Sequence, residues 1–419
     1  MVHLLGCREA CQTGLAESAR QGGGVFLYAV ILFSHTLKEV IHSRAKKLGF
    51  DLCCFTRPHL PDLHRTGYLS WIGASMHGEM GWMAETERAA RRLAPEAMLD
   101  EVKTVITVAM RYTPPTYSLD QATTAKGRGV IATYAHGNDY HGLMKKRLKA
   151  LARDLDLLLG LHEQRIYADT APVLEHALAE TSGLGWLGKH SLAINRNLGS
   201  WFLLGELFTT AEIEPDGPVS GHCGSCSACM DVCPTHAIVA PYVVDARLCI
   251  SYLTIEHRGF IPRGLRAMMG NHIFGCDDCQ ATCPWNRHAV APDQNCLNPR
   301  EENSLPELAS LLLLDEEEFR ERFRKSPVRR TGRAGLLRNV CIAMGNSGNL
   351  NFAPLLLEVL EDDEPLIRGH AVWALEQLVD DSCLEELLCE IEPRTLIENN
   401  KKVLEELNIS ICNIREKHG

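Results

Sequence analysis

Residues 223–234 read CGSCSACMDVCP, with Cys223, Cys226, Cys229 and Cys233 followed at once by Pro234. Two-residue spacers let three thiolates converge on one face of an iron–sulfur cubane, while the fourth cysteine, turned away ahead of proline, is left for another cluster. A second half follows as Cys276, Cys279 and Cys283-Pro284, and Cys249 is the simplest source of its missing ligand. The crossed arrangement expected is two [4Fe–4S] clusters, one on Cys223, Cys226, Cys229 and Cys283, the other on Cys233, Cys249, Cys276 and Cys279. A pair of zinc sites is the competing reading. Zinc knuckles use isolated C-x2-C pairs, not a four-cysteine run closing on Cys-Pro. Two neighbouring clusters carry single electrons, so this block implies redox work without naming the reaction.

The rest of the chain fits an enzyme built around that block. Eight of the 17 cysteines lie between Cys223 and Cys283. An odd cysteine count without a signal argues against a disulfide framework and for a reducing, cytoplasmic setting. The longest apolar run near the start, Val25 to Phe33, is far short of the ~20 residues that cross a bilayer, and no small-residue cleavage site follows it. Leu4-Leu5-Gly6-Cys7 resembles a lipoprotein box but has no apolar stretch ahead of it. No membrane association is expected, and the protein is expected to be a monomer. A net charge of −10 disfavours indiscriminate nucleic-acid binding and leaves room for a local basic patch.

An α+β organisation is expected. Residues 1–34 are Gly-rich and unpatterned and read as an unstructured extension. Residues 35–215 form a mixed α/β domain, with helical periodicity over 35–48, 141–161 and 172–181 and apolar strands over 102–110 and 200–208. Residues 216–300 form a ferredoxin-like two-cluster domain. Residues 301–380 are helical, with Ala/Leu-rich segments at about 40-residue spacing that suggest HEAT-like repeats. Residues 381–419 read as an acidic, weakly patterned tail.

An electron path needs a terminus. No Gly-x-Gly-x-x-Gly follows a strand, and no Cys-x-x-Cys-His is present, so a dinucleotide fold and a covalent haem are excluded. Asp62-Leu63-His64-Arg65-Thr66-Gly67 matches the pattern of corrinoid enzymes that supply a histidine to cobalt. It sits between prolines with no later Gly-Gly pair, and is better read as a loop leading into a helix.

Residues 167–209, YADTAPVLEHALAETSGLGWLGKHSLAINRNLGSWFLLGELFT, together with 134–141, YAHGNDYH, and the cysteine block, resemble the epoxyqueuosine reductases. Leu336-Leu337-Arg338-Asn339 and the run from Arg368 to Leu375 fit as well, and the resemblance covers about 36–380. It departs at the N-terminal extension, at the tail, and at His190, where another polar residue is expected. The resemblance implies a corrinoid-binding domain similar to that of reductive dehalogenases. It holds cobalamin with no protein ligand on cobalt, next to one cluster. The implied reaction removes the epoxide oxygen of epoxyqueuosine at the tRNA wobble position, with electrons from an external low-potential donor.

The family's proton donor is an aspartate, which matches Asp169. Read from the residues alone, Asp169 ahead of Thr170-Ala171-Pro172 is a helix cap. As a donor it needs a pKa raised by burial against the corrin and substrate. Arg92, Tyr134, Asp139, Tyr140, His141, Gly188, Lys189, Ser191 and Ser200 are the expected cobalamin contacts. Gly183, Gly185 and Gly188 are alternatively tight turns, and Trp186 and Trp201 are core.

From Arg320 to Arg338 the chain holds eight basic residues, with Glu321 read as their only opposing charge. Arg324, Lys325, Arg329, Arg330, Arg333 and Arg338 are the expected tRNA contacts. A solvated helix face is the plainer reading. Lys145, Lys146, Arg147 and Lys149 form a second patch. Two other functions compete: a reductive dehalogenase acting on a small organohalide, and a pure electron-transfer module. The basic segment and the helical region argue against the first, since a small substrate needs neither. The large domain before the cysteines argues against the second.

Overall fold

The computed structural model of the chain describes residues 36–292, 297–380 and 384–418. The extension expected over 1–34 lies outside them. After a helix over 36–47, the first half is organised by a four-stranded antiparallel sheet. Its strands are β1 (Leu52–Thr56), β2 (Thr104–Arg111), β3 (Gln164–Tyr167) and β4 (Phe202–Thr209), in the spatial order β1-β2-β4-β3. β2 and β4 are central and buried almost throughout, which is why TVITVAMR and FLLGELFT are nearly continuous apolar runs.

The two faces of the sheet are covered by different helices. α1 (Tyr140–Leu159) buries Met144, Leu148, Leu151 and Leu155, one stripe at helical spacing, against Ile106, Val108 and Leu207. Gly205 of β4 allows the close approach, since a Cβ there would lie 2.9 Å from the Met144 sulfur. α2 (Glu175–Thr181) packs Ala177 and Leu178 against Val105 and Phe208 on the other face. Thr107 and Glu206, paired across β2 and β4, are therefore on the α2 side.

The second half is helical. α3 (Gly332–Asn346) is buried from Gly335 to Gly345, α4 (Pro365–Leu378) packs along it, and α5 (Lys401–His418) packs on α4. A helix apolar all round belongs inside a core. That core runs without a break from Ile131, Ile250 and Phe274 through Leu337 and Trp373 to Ile414. The cysteine block and the helices thus share one interior instead of meeting at a boundary near 300. A parallel pairing of Val130–Ile131 with His272–Phe274 ties this body to the first half.

The expected acidic tail is corrected by the same packing. Beyond 383 the chain forms the helix Leu384–Ile391 and then α5. Glu406 of α5 binds Arg266 at 2.5 and 2.9 Å and also binds Arg263, which reaches Glu376 of α4 as well. Glu406, one acid of the stretch read as a weakly patterned tail, is the inward partner of buried Arg266 and half-buried Arg263.

Candidate active site

The thiols gather in two groups. Cys229 lies beside Cys283, Cys223 and Cys226, while Cys279 lies beside Cys276 and Cys249, and Cys249 beside Cys233. None of these cysteines is in a disulfide. The first group is the outer one at Cys226, which is exposed. Trp186 and Trp285 meet edge-on at 4.9 Å beside Cys223 and Cys283.

Next to the second group is a cavity of about 1060 Å³. Ser251, Ile255 and Glu256 reach it from the helix that begins just after Cys249, and Phe274 from two residues before Cys276. Asp139, Tyr140, His141 and Lys145 enter from the start of α1, with Tyr134 beside them. Asp169 and Thr170 enter from the loop after β3, and Trp82 and Arg88 from the segment before β2. Lys325, Ser326, Pro327, Arg329 and Arg330 line the remaining side.

A hydrogen-bonded chain runs along one wall. Asp139 caps α1 by accepting the His141 amide at 2.9 Å, and the same oxygen meets His141 Nδ1 at 2.5 Å. His141 Nε2 meets Asp169 Oδ2 at 2.7 Å. Asp169 has a left-handed backbone, with φ of 58°, a conformation uncommon outside glycine. Its amide donates to Glu175 Oε1 at 2.6 Å.

The charges follow from these contacts. The bond to Asp139, and then the bond to Asp169, push the His141 pKa up to about 9, so the ring is an imidazolium at neutral pH. Burial acts to raise the Asp169 carboxyl. The His141 hydrogen bond and the charges of His141 and Arg330 outweigh it and hold that carboxyl below its ordinary range. Burial keeps Tyr140 and Tyr134 as neutral phenols.

A family profile described as "4Fe-4S double cluster binding domain" matches residues 222–286, and one described as "Epoxyqueuosine reductase QueG, DUF1730" matches residues 92–170. An epoxyqueuosine reductase of Xanthomonas campestris pv. campestris is 41% identical over 339 residues, covering 80% of this chain and 95% of that one. The chain belongs to the epoxyqueuosine reductase family. A crystal structure of a family member with an epoxyqueuosine-modified tRNA-Tyr stem loop superposes with a TM-score of 0.82 at 28% identity, covering 91% of this chain and 100% of that one. A Bacillus subtilis member, described with its catalytic aspartate loop swung out of the active site, matches with a TM-score of 0.80 at 28% identity, covering 91% of this chain and 99% of that one.

Several residues expected to contact a cofactor stand elsewhere in this member of the family. The space above Gly188 is filled by His190 and Ile194, with a would-be Cβ 2.7 Å from each. A Cβ on Gly183 or Gly185 would lie 2.2 or 2.3 Å from a backbone oxygen, so all three glycines serve close packing. Lys189 Nζ donates to the carbonyls of Gly224 and Cys226 at 2.7 Å each, fastening the first cysteine loop. Ser191 donates to the Tyr242 carbonyl, and buried Ser200 accepts from Asn286 and Gln280. Arg92 is buried with its guanidinium 5.2 Å from the Trp82 ring centre, so it supports a lining residue without lining the cavity itself. Tyr134, Asp139, Tyr140 and His141 do line the cavity.

The helix-cap reading of Asp169 fails. α2 begins at Glu175, its N-cap position is Leu174, and no side chain caps it. Asp62–Gly73 is helix from its first residue, and His64 pairs with Glu180 at 2.9 Å, away from the cavity.

The basic segment is more opposed than expected. Arg320, Arg322, Arg330 and Arg333 pair with Glu316, Glu302, Glu256 and Asp362, and Arg324 sits 3.4 Å from Glu321. Arg333 is held between Asp362 and the Leu314 carbonyl. Arg338 is fully buried, so neither it nor Arg333 is a free surface cation. Lys325 and Arg329 are exposed at the cavity with no ion-pair partner among the described residues.

Trp82, Arg88, Phe274 and Glu256 were missed because nothing in their local pattern sets them apart. Glu206 had a signal, being the lone charge in an apolar strand.

Proposed function

We propose that this protein reduces epoxyqueuosine to queuosine at the wobble position of tRNA, with cobalamin in the large cavity and two [4Fe–4S] clusters on the two cysteine groups. The observation that carries this reading is the Asp139–His141–Asp169 chain opening on a cavity flanked by the second cysteine group and the cationic 325–330 segment. The cavity, at about 1060 Å³, is slightly above the usual ~300–1,000 Å³ range for ligand sites. Among the described residues His141 is the sole histidine lining it, and both ring nitrogens are engaged. That fits a cobalamin bound without a protein ligand on its metal. Soft thiolates in sets of four suit iron–sulfur clusters.

When bound, these groups supply the two electrons that open the epoxide, passed singly from an external low-potential donor. The chain's own residues deliver the first proton and hold the RNA, and water supplies the second proton. Net removal of the oxygen as water takes two protons. The oxygen leaving carbon is a strong base and takes its proton from Asp169. The need for a carboxyl raised by burial, expected from the sequence, gives way to a relay. Asp169 rests as a carboxylate, and a proton waits on His141 Nε2, one hydrogen bond behind it. Asp139 keeps that ring charged from the far side. Lys325, Arg329 and Arg330 bind RNA phosphates at the cavity, and the target base is splayed out to enter it.

The HEAT-like helical region supports the tRNA platform from behind. We place the enzyme in the cytoplasm as a monomer; no helix among the described residues is long and apolar enough to cross a membrane. Asp169→Asn tests the reading. Iron content and cobalamin binding should be retained while turnover falls by about 10²–10⁴-fold, the usual worth of a general acid. Wild-type turnover would remove Asp169 from the chemistry.

A further inference from the structure

Two carboxyl groups stand behind Asp169, and neither lines the cavity. Glu206 lies in the middle of β4, fully buried, and neither of its oxygens has a hydrogen-bond partner among the described residues. The Thr107 hydroxyl, across the strand pairing, is buried and unpartnered too. A carboxyl in such surroundings keeps its proton, because an unpaired buried charge is far costlier than a neutral acid. Glu175, the first residue of α2, stands against it without the alignment of a hydrogen bond. Glu175 Oε1 in turn accepts the Asp169 amide at 2.6 Å, where the backbone is left-handed. Such a conformation persists only where its surroundings hold it. Among the described residues His141 and Tyr140 hold it by the Asp169 carboxylate and Glu175 by its amide.

We propose that Glu175, backed by a protonated Glu206, is the positioning residue of the Asp169 loop, a latch that keeps the proton donor turned into the cavity. This rests on the reading of Asp169 as that donor. A hydrogen bond to a charged acceptor is about twice as strong as one to a neutral acceptor, so the latch holds best while Glu175 is ionised. Glu206 faces Glu175 from β4, Asp169 from the β3 loop, and His141 and Tyr140 from α1, with His176 adjacent on α2. Burial keeps His176 neutral down to about pH 4, so His141 is the cation of this set. Burial first, and then the Asp169 charge, bring Glu175 up to about 7. As pH falls through that value Glu175 takes a proton and its hold on the loop weakens.

The test uses the full chain loaded with both clusters and cobalamin. Glu175→Ala should lower kcat by about 10–100-fold, as expected for a misplaced catalytic group, with KM for tRNA and iron content unchanged. Glu175→Gln keeps a carbonyl oxygen for the Asp169 amide. Like a protonated Glu175 it is a neutral acceptor, so kcat should stay above that of Glu175→Ala, at the level wild type reaches well below pH 7, and show no further fall as pH drops. Glu206→Gln should leave the wild-type fall nearly in place, because a protonated Glu206 is already neutral; a large shift toward lower pH would show a charged Glu206 and overturn its part in the latch. Hydrogen exchange at the Asp169 amide gives a readout independent of turnover: protection at pH 8 should drop in Glu175→Ala. Wild-type kcat in Glu175→Ala, or a wild-type acidic limb in Glu175→Gln, overturns the latch. Full activity in Asp169→Asn overturns the donor reading instead, and the two failures are distinguishable.

Discussion

Arg329 and Arg330 differ from Arg333 and Arg338 in almost nothing that a sequence displays. All four lie within ten residues of one basic run. The first two stand on a short 3-10 turn, Pro327–Thr331, whose side chains reach the cavity. The last two point into the interior from α3. Arg338 is fully buried and donates to the carbonyls of Leu253, His257 and Gly259, tying the loops around the second cysteine group to the helical core. Its neighbour Asn339 does the same, donating to Thr254 and Ile273. The lesson is that charge density along a chain says little about charge at a surface. What decides is which face of which helix the core claims.

The largest expected effect is on the buried side. Arg338→Met removes the donors for three buried carbonyls, and leaving each unpaired costs about 1–3 kcal/mol. Denaturant unfolding should show a loss of about 3–5 kcal/mol, whereas Arg329→Ala should stay within about 0.5 kcal/mol of wild type. Equal effects for the two would break the distinction drawn here.

A smaller effect is expected on RNA binding. Arg329→Ala with Arg330→Ala should weaken tRNA binding and flatten its salt dependence by about one unit of log-log slope per lost phosphate contact. Turnover at saturating tRNA should change little, because phosphate contacts position the substrate. Arg333→Ala should leave the slope untouched, since Asp362 and the Leu314 carbonyl hold it away from the cavity. A slope change for Arg333→Ala but none for the double variant would reverse the assignment.

The smallest effect concerns His141, the cavity cation that can lose its charge. Its folded pKa of about 9 lies above the ordinary 6.5, raised by Asp139 first and then Asp169. A raised histidine contributes stability that is complete below the unfolded pKa and is lost as pH rises through the folded one. The melting temperature of wild type relative to His141→Asn should therefore decline between about pH 6.5 and 9. A flat difference would mean that the ring is not held as an imidazolium.

Much of the site was legible in the sequence because its signals are local. Cys223 to Cys233 and Cys276 to Cys283 announce their chemistry by spacing alone, since a cubane fixes how far apart its ligands stand. Tyr134 to His141 and Asp169 were legible through family resemblance. The protonation state of Asp169 was not. Burial pushes the carboxyl up, and His141, 28 residues away, reverses that direction by donating to it. The partners of Lys189 and Ser200 were not legible either. Polar residues in a Gly-rich loop look equally suited to a ligand's phosphate and to a neighbouring carbonyl, and here the carbonyls of the first cysteine loop and the amides of Asn286 and Gln280 took them.

By itself, the order of residues determined the double-cluster class of this protein, the alternation of sheet and helix, and the thiols that gather in each group. These depend on spacing and periodicity, which short-range geometry converts directly into structure. Only the tertiary structure decided which cations face the cavity, that Glu406 turns inward to Arg263 and Arg266, and that two carboxyls stand behind Asp169. Those outcomes depend on electrostatic and hydrogen-bond partners brought together from distant parts of the chain, and in a buried site the partner sets the charge.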